Sequence, residues 1–381
     1  MKHQKHATLS KPTFGQYHAH EWGILGAKCS TIEQFVNRIV THFPQYRMGY
    51  LDASHRSGDQ PLDVAHSLSH GLHLKVTDHM HYRNWEDATE LNDYDWRIKL
   101  RELQLLWINS NHFPANRQII LIDPEKEHSI IKRKERITRI DLILKTSRDA
   151  RVFEVLRAHP AFDPRIPVHD LEDEGAWLPV VERLLDSTIP AISGLLLVGG
   201  RSTRMGTDKA QLSYHGQPQQ KYLYALLKNH LDKVYFSVRQ DQQLDGPVVR
   251  DAFAGLGPFG AILSFFQQYP DHALLSVACD LPGVDHEALA YLIKNRDPAR
   301  LATAFLNPET GFADPLFTIW EPRIYQRMLQ FLAMGYSCPR KVLINSDIKL
   351  LEAPNPQWLA NVNTPEELKN FKLKLGHGVT D

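Results

Sequence analysis

The chain has 381 residues, with 44 Lys and Arg against 44 Asp and Glu. That length exceeds one typical domain, and the balanced total charge predicts neither nucleic-acid nor membrane binding. No apolar run approaches a membrane span, and the polar start MKHQKHATLSKP lacks the apolar core of a signal peptide, so a cytoplasmic protein with no nucleic-acid and no membrane partner is expected.

Two further counts bear on chemistry. Cys29, Cys279 and Cys338 are odd in number and widely spaced, which gives neither a disulfide framework nor a zinc spacing and reads as reduced thiols. Fifteen of the twenty histidines precede Pro190, with His66, His70, His73, His79 and His81 clustered. Their spacing matches no recurrent metal motif, so they read as solvated or core side chains.

In chain order, the first strand is predicted at His20 to Gly26. A helix follows, with Ile32, Phe35, Val36, Ile39 and Val40 on one face, and it closes before Pro44. A second strand is predicted at Arg47 to Leu51. Strand, glycine turn and helix is how a phosphate-loop domain begins, but the segment G-I-L-G-A-K-C-S-T is only partly like G-x-x-x-x-G-K-S/T. Aligning Gly26 with the first glycine puts Ile32 and Glu33 where the lysine and hydroxyl belong. Taking Lys28 as the lysine leaves Ala27 and Cys29 where Gly and Ser/Thr are required. Either way the phosphate site is degenerate.

Leu103 to Ile108, Gln118 to Ile122 and Ile137 to Leu144 read as further strands, Ala176 to Leu185 as a helix, and Lys132 to Arg139 as a solvated surface. Strands alternating with helices predict an α/β domain with a mainly parallel sheet. Asn109, Ser110, Asn111 and His112 follow an apolar strand, where ligands bind in open α/β sheets; a polar turn closed by Phe113 and Pro114 accounts for them as well. Pro190 marks the boundary, giving domains 1–189 and 190–381.

The second half opens on ISGLLLVGGRSTRMGTDKA. Leu195 to Val198 form an apolar run suited to a strand buried on both faces. Gly199 and Gly200 can present bare N–H groups to an anion, and Arg201, Arg204 and Lys209 add cations, which together describe a triphosphate cradle. A strand at Val234 to Val238 follows a helix at Lys221 to Leu231. Val248 to Ile262 reads as a small-residue loop opening a helix. Leu274 to Pro282 reads as a strand that delivers Asp280 at its carboxyl end. A carboxylate there suits Mg²⁺, although Asp-Leu-Pro also suits a helix start. Leu301 to Phe305 and Pro315 to Trp320 read as strands around a Gly-containing hairpin. Thr364, Pro365 and Glu367 form a capping box, leaving Asn361 and Asn363 over.

The string G-G-R-S-T-R-M-G-T-D-K-A, with C-D-L-P and N-V-N-T-P later in the chain, resembles the molybdenum cofactor guanylyltransferases, over roughly residues 190 to 375. The resemblance implies a Rossmann-like nucleotidyltransferase fold for the C-terminal domain, hence two three-layer αβα domains. It implies Arg204, Lys209 and Asp280 as catalytic, with Asp280 holding Mg²⁺. It also implies nucleotide or pterin contacts at Leu197, Gly199, Gly200, Arg201, Lys209, Asp251, Gly257, Asn361 and Asn363. The implied substrates are GTP and molybdopterin, and the implied enzyme class is nucleotidyltransferase.

The Gly-Gly form of the loop resembles the guanine users, whereas cytidylyl relatives tend to carry Ala-Gly. A CTP or sugar-phosphate nucleotidyltransferase and a non-catalytic nucleotide-binding scaffold stay open beside it. The first half loosely resembles the phosphate-loop partner protein of molybdenum cofactor synthesis, with its loop eroded. That likeness implies a docking or regulatory role toward molybdoenzymes or cofactor-synthesis proteins.

Overall fold

The computed structural model describes residues 8–53, 68, 71–198, 212–362, 366–367 and 371. It divides into two compact units, one of Phe14–Thr188 and one of Ile189–Asp381 together with Met1–Thr13. Among the described residues no helix is long and apolar enough to cross a membrane.

The N-terminal unit has strands β1 (Glu21–Leu25), β2 (Met48–Leu51), β3 (Leu74–Asp78), β4 (Arg83–Asp87), β5 (Leu105–Asn109), β6 (Arg117–Ile122), β7 (Arg139–Lys145) and β8 (Val168–Asp170). Its helices are α1 (Cys29–His42), α2 (Asp93–Leu100), α3 (Glu127–Lys132), α4 (Glu154–Arg157) and α5 (Glu174–Asp186). Six strands form one wholly parallel sheet in the order β2-β5-β1-β6-β7-β8, while β3 and β4 make a separate exposed hairpin. β1 and β5 are buried along their whole length, which is why they read as continuous apolar runs.

Alternate strand residues sort to opposite faces. Ile24, Ile119, Leu121, Leu142 and Leu144 pack with Phe35 and Ile39 of α1 and Trp177 of α5. Leu25, Ile120, Ile122 and Ile143 pack with Ile130 of α3 and Leu156 of α4. Helices thus cover both faces, the three-layer arrangement the alternation predicts. Val40, expected on the buried face of α1, is 41% exposed. The apolar stripe is one residue narrower than the sequence indicates.

The C-terminal unit has β9 (Ile192–Leu197), β10 (Val234–Val238), β11 (Val248–Arg250), β12 (Ala273–Ala278), β13 (Ala302–Asn307), β14 (Phe312–Trp320) and β15 (Lys349–Glu352). Its helices are α6 (Gln219–Lys228), α7 (Pro258–Gln268), α8 (His286–Lys294), α9 (Ile324–Ala333) and α10 (Pro339–Ile344). The sheet order is β11-β10-β9-β12-β14-β13-β15. The first four strands are parallel in the Rossmann-like order, and β14 runs antiparallel to both its neighbours.

Leu196 of β9 packs with α6 and α8, and Leu195 with α7, α9 and α10, so this unit too is an αβα sandwich. Val248 to Arg250, expected as loop, pairs with β10 instead. Three residues are too few to show a period, and parallel pairing with Phe236 to Val238 fixes them. The hairpin expected after Asn307 is the β13–β14 turn, with Gly311 at φ +71°.

One buried ion pair ties this unit together. Arg296 donates to both oxygens of Glu321, at 2.7 and 2.8 Å, and to the carbonyl of Pro190 at 2.9 Å. Side-chain exposures of 10% and 2% take that pair out of the weak surface class.

Candidate active site

In parallel α/β sheets ligands collect at the carboxyl edge of the strands. Here Leu197, at the end of β9 and half-buried, is in register with Ser237 on one side and Ala278 on the other, and Val238 is in register with Arg250. The residues just past that edge are therefore candidates by position alone.

Asp280 stands two residues beyond β12 and is half-buried. Its carbonyl accepts from the amide of Val362 at 2.9 Å, which brings exposed Asn361 alongside it although 80 residues of chain intervene. Val362 in turn packs with Tyr214 and Phe371. The Tyr214 hydroxyl is buried and makes no hydrogen bond among the described residues. Burial, then the charge of Asp280, pushes its pKa up to about 12. A buried unsatisfied hydroxyl next to a carboxylate is a polar group waiting for a partner.

Asp251 follows β11. Its Oδ1 accepts from the amide of Phe253 at 2.9 Å and from the hydroxyl of Ser264 at 3.1 Å, so this carboxylate braces the loop that leads into α7. Gly260 is required there: a Cβ would lie 2.4 Å from the carbonyl oxygen of Phe253 and 3.1 Å from Asp251 Oδ1. Gly257, at φ +57°, caps α7 in a conformation that disfavours side chains.

The β12 and β11 columns are three strand spacings apart, roughly 14 Å at about 4.8 Å each. Asp280 and Asp251 therefore do not share one cation. A ligand the length of a nucleotide, laid along the edge, reaches both.

Gly199, Gly200, Arg201, Arg204, Lys209 and Asn363 lie outside the described residues, as do Thr364 and Pro365 of the capping box and His66 and His70. Of the remaining clustered histidines, His73, His79 and His81 are exposed.

Two polar groups escape a sequence reading. Tyr214 sits in L-S-Y-H-G, which matches no motif. Gln219, the first residue of α6, is fully buried with neither amide atom hydrogen-bonded among the described residues. The Ser213–Pro218 bridge sets the entry to α6 beside Tyr214, and no local pattern announces that.

Residues 194–347 match the family described as MobA-like NTP transferase domain. The chain is 34% identical over 179 residues to the molybdenum cofactor biosynthesis bifunctional protein of Synechocystis sp., covering 46% of this chain and 52% of that relative. It therefore spans about half of that protein's length. To the molybdenum cofactor guanylyltransferase of Pseudomonas paraeruginosa it is 32% identical over 199 residues, covering 50% of this chain and 99% of the relative. To the solved molybdopterin-guanine dinucleotide biosynthesis protein A of Archaeoglobus fulgidus it is 16% identical, covering 49% of this chain and 98% of that one with a TM-score of 0.42.

Proposed function

The chain belongs, through its C-terminal half, to the molybdenum cofactor guanylyltransferase family of nucleotidyltransferases, and on that premise we propose that it transfers GMP from GTP to the terminal phosphate of molybdopterin. The products are the guanine dinucleotide cofactor and pyrophosphate. A pterin phosphate oxygen attacks the α-phosphorus in line as the bond to the β-phosphate oxygen breaks, and no protein nucleophile takes part. The enzyme's contribution is positioning and charge neutralisation.

The observation that carries this reading is the placement of Asp280 beside Asn361 at the carboxyl edge, two residues past the strand neighbouring β9. In this scheme the backbone of Gly199 and Gly200 holds the phosphates. Arg204 neutralises the departing pyrophosphate, and Arg201 and Lys209 bind the triphosphate. Leu197, Asp251 and Gly257 border the nucleotide, and Asn361 and Asn363 contact the metal or the pterin phosphate.

The half-buried carboxylate of Asp280 at the carboxyl edge is a hard oxygen donor of the kind that suits Mg²⁺. When bound, Mg²⁺ screens the charge on the phosphates.

For the N-terminal unit we propose docking or delivery toward molybdoenzymes or cofactor-synthesis proteins, because its parallel sheet carries a loop that matches the phosphate-loop pattern only in part. Cross-linking the full chain to an apo-molybdoenzyme should label residues 14–188. Labels confined to residues 189–381 would refute that role.

The reaction is tested by pyrophosphate release from purified protein with Mg²⁺ and molybdopterin, offering GTP, CTP, ATP and UTP separately. Release with GTP alone is expected. Release with CTP alone would keep the chemistry and overturn the base. Silence with all four, beside measurable GTP binding, would leave a nucleotide-binding scaffold or another acceptor.

A further inference from the structure

Three side chains at the carboxyl edge of the N-terminal sheet converge on one point. Cys29 opens α1 after β1, Asp52 follows β2, and His112 follows β5, so adjacent strands in the order β2-β5-β1 deliver one residue each. The Cys29 sulfur and His112 Nε2 are 3.3 Å apart, and the same Nε2 is 3.9 Å from Asp52 Oδ1. All three donor atoms lie within 4.8 Å of one another, and all three residues are half-buried.

The geometry distinguishes a metal site from a nucleophile relay. In a relay the carboxylate holds one ring nitrogen of the histidine while the nucleophile faces the other. Here sulfur and carboxylate both face Nε2, which is the arrangement of ligands around a shared centre. Tetrahedral bonds of about 2.0–2.3 Å put neighbouring donor atoms about 3.3–3.6 Å apart. The sulfur–nitrogen spacing of 3.3 Å already meets that, and the nitrogen–oxygen spacing of 3.9 Å needs only a small inward movement.

The surroundings hold the ligands in place. Asp52 Oδ1 accepts from Asn109 Nδ2 at 2.9 Å and from the amide of Ala53 at 2.7 Å, and Oδ2 accepts from the Tyr50 hydroxyl at 2.8 Å. Asn111 donates to the carbonyl of Ala27 at 2.9 Å, which stitches the His112 turn to the Cys29 turn. Arg133 donates to the carbonyl of Asn111 at 3.1 Å and Arg136 to that of His112 at 3.3 Å. Carboxylates and turns braced in this way are what metal ligands require.

We propose that Cys29, Asp52 and His112 bind one divalent transition ion of the zinc class. A thiolate, an imidazole and a carboxylate select a borderline-soft ion over Mg²⁺. Three protein ligands leave the fourth tetrahedral position open to water or an incoming thiolate, as in exchangeable rather than purely structural sites. The degenerate phosphate loop then has a positive content, because Cys29 stands where a phosphate loop read from Lys28 would carry its magnesium-binding hydroxyl.

The test uses the metal-stripped full chain titrated with Co²⁺ and then Zn²⁺. One equivalent of Co²⁺ should produce sulfur-to-cobalt charge-transfer absorption that Zn²⁺ abolishes. Cys29→Ser should remove that absorption and weaken Zn²⁺ binding at least 100-fold, and Asn109→Ala, which frees the Asp52 carboxylate, should weaken it about 10-fold.

A measurement that needs no variant accompanies this. Zn²⁺ should slow iodoacetamide alkylation of Cys29 at least tenfold while exposed Cys338 reacts at an unchanged rate, both read by peptide mass spectrometry. No charge-transfer absorption in the wild type, absorption that survives Cys29→Ser, or alkylation of Cys29 indifferent to Zn²⁺ would each overturn the proposal.

Discussion

Tyr214 and Asp280 sit close enough for the carboxylate to oppose ionisation of the phenol, and burial of the ring adds the larger part of that effect. The pair lies where the C-terminal segment closes over the sheet edge, and it makes alkaline stability a reporter on that closure. The folded state keeps the Tyr214 proton up to about pH 12, while an unfolded tyrosine loses it near pH 10. Between those values the unfolded chain binds fewer protons, so stability falls as pH rises. Tyr214→Phe should blunt that fall by on the order of 2 kcal/mol, since one unit corresponds to about 1.4 kcal/mol. Denaturant titrations at pH 9 and pH 11.5 measure it, and an unchanged slope would show that the phenol is not protected.

Asp280→Asn is expected to lower pyrophosphate release by at least about 10²-fold at saturating Mg²⁺, the scale of removing one preorganised electrostatic group. The unfolding midpoint should stay close to wild type, because the carbonyl that anchors Val362 is retained. Full activity in this variant would remove the carboxylate from the chemistry.

Gly260 and Gly335 are expected to separate two costs of adding a methyl group. At Gly260 the methyl meets the Phe253 carbonyl, so Gly260→Ala should displace the loop carrying Asp251 and raise the nucleotide KM about tenfold or more. At Gly335 there is open space but φ is +83°, and the amides of Gly335 and Tyr336 close α9 in a Schellman motif. Gly335→Ala should cost about 1–2 kcal/mol of stability and leave KM alone. Steady-state kinetics and thermal melts on both proteins decide, and equal KM values would refute the loop argument.

Removing one half of the Arg296–Glu321 pair should cost about 3–5 kcal/mol, because it strands a buried charge. Glu321→Ala is the direct version. The double substitution Arg296→Met, Glu321→Leu should recover most of the loss, although Arg296 also serves the carbonyl of Pro190. A double variant no better than the single would place the stabilisation in that second bond.

The strands that position both sites were legible because burial on two faces leaves an uninterrupted apolar run: β1, β5, β10 and β12 lie within the predicted ranges or one residue beyond them. The β3–β4 hairpin was not legible, since none of its residues is buried and Trp85 is 65% exposed. Without a core to face, a strand has no period to show. Asp280 could be read from the strand it ends. Tyr214 could not, and neither could the meeting of Cys29, Asp52 and His112, whose spacing is set by strand order. Nothing local encodes a neighbour supplied by a crossover.

The bond from Val362 to the carbonyl of Asp280 also orders events during synthesis. Asp280 and the strands beside it leave the ribosome well before Val362 does. Until then the backbone carbonyl of Asp280 lacks its anchor, and Tyr214 lacks the two apolar side chains that cover it, Val362 and Phe371. A nascent chain can thus assemble its sheet while the carboxyl edge beside Asp280 is still unfinished.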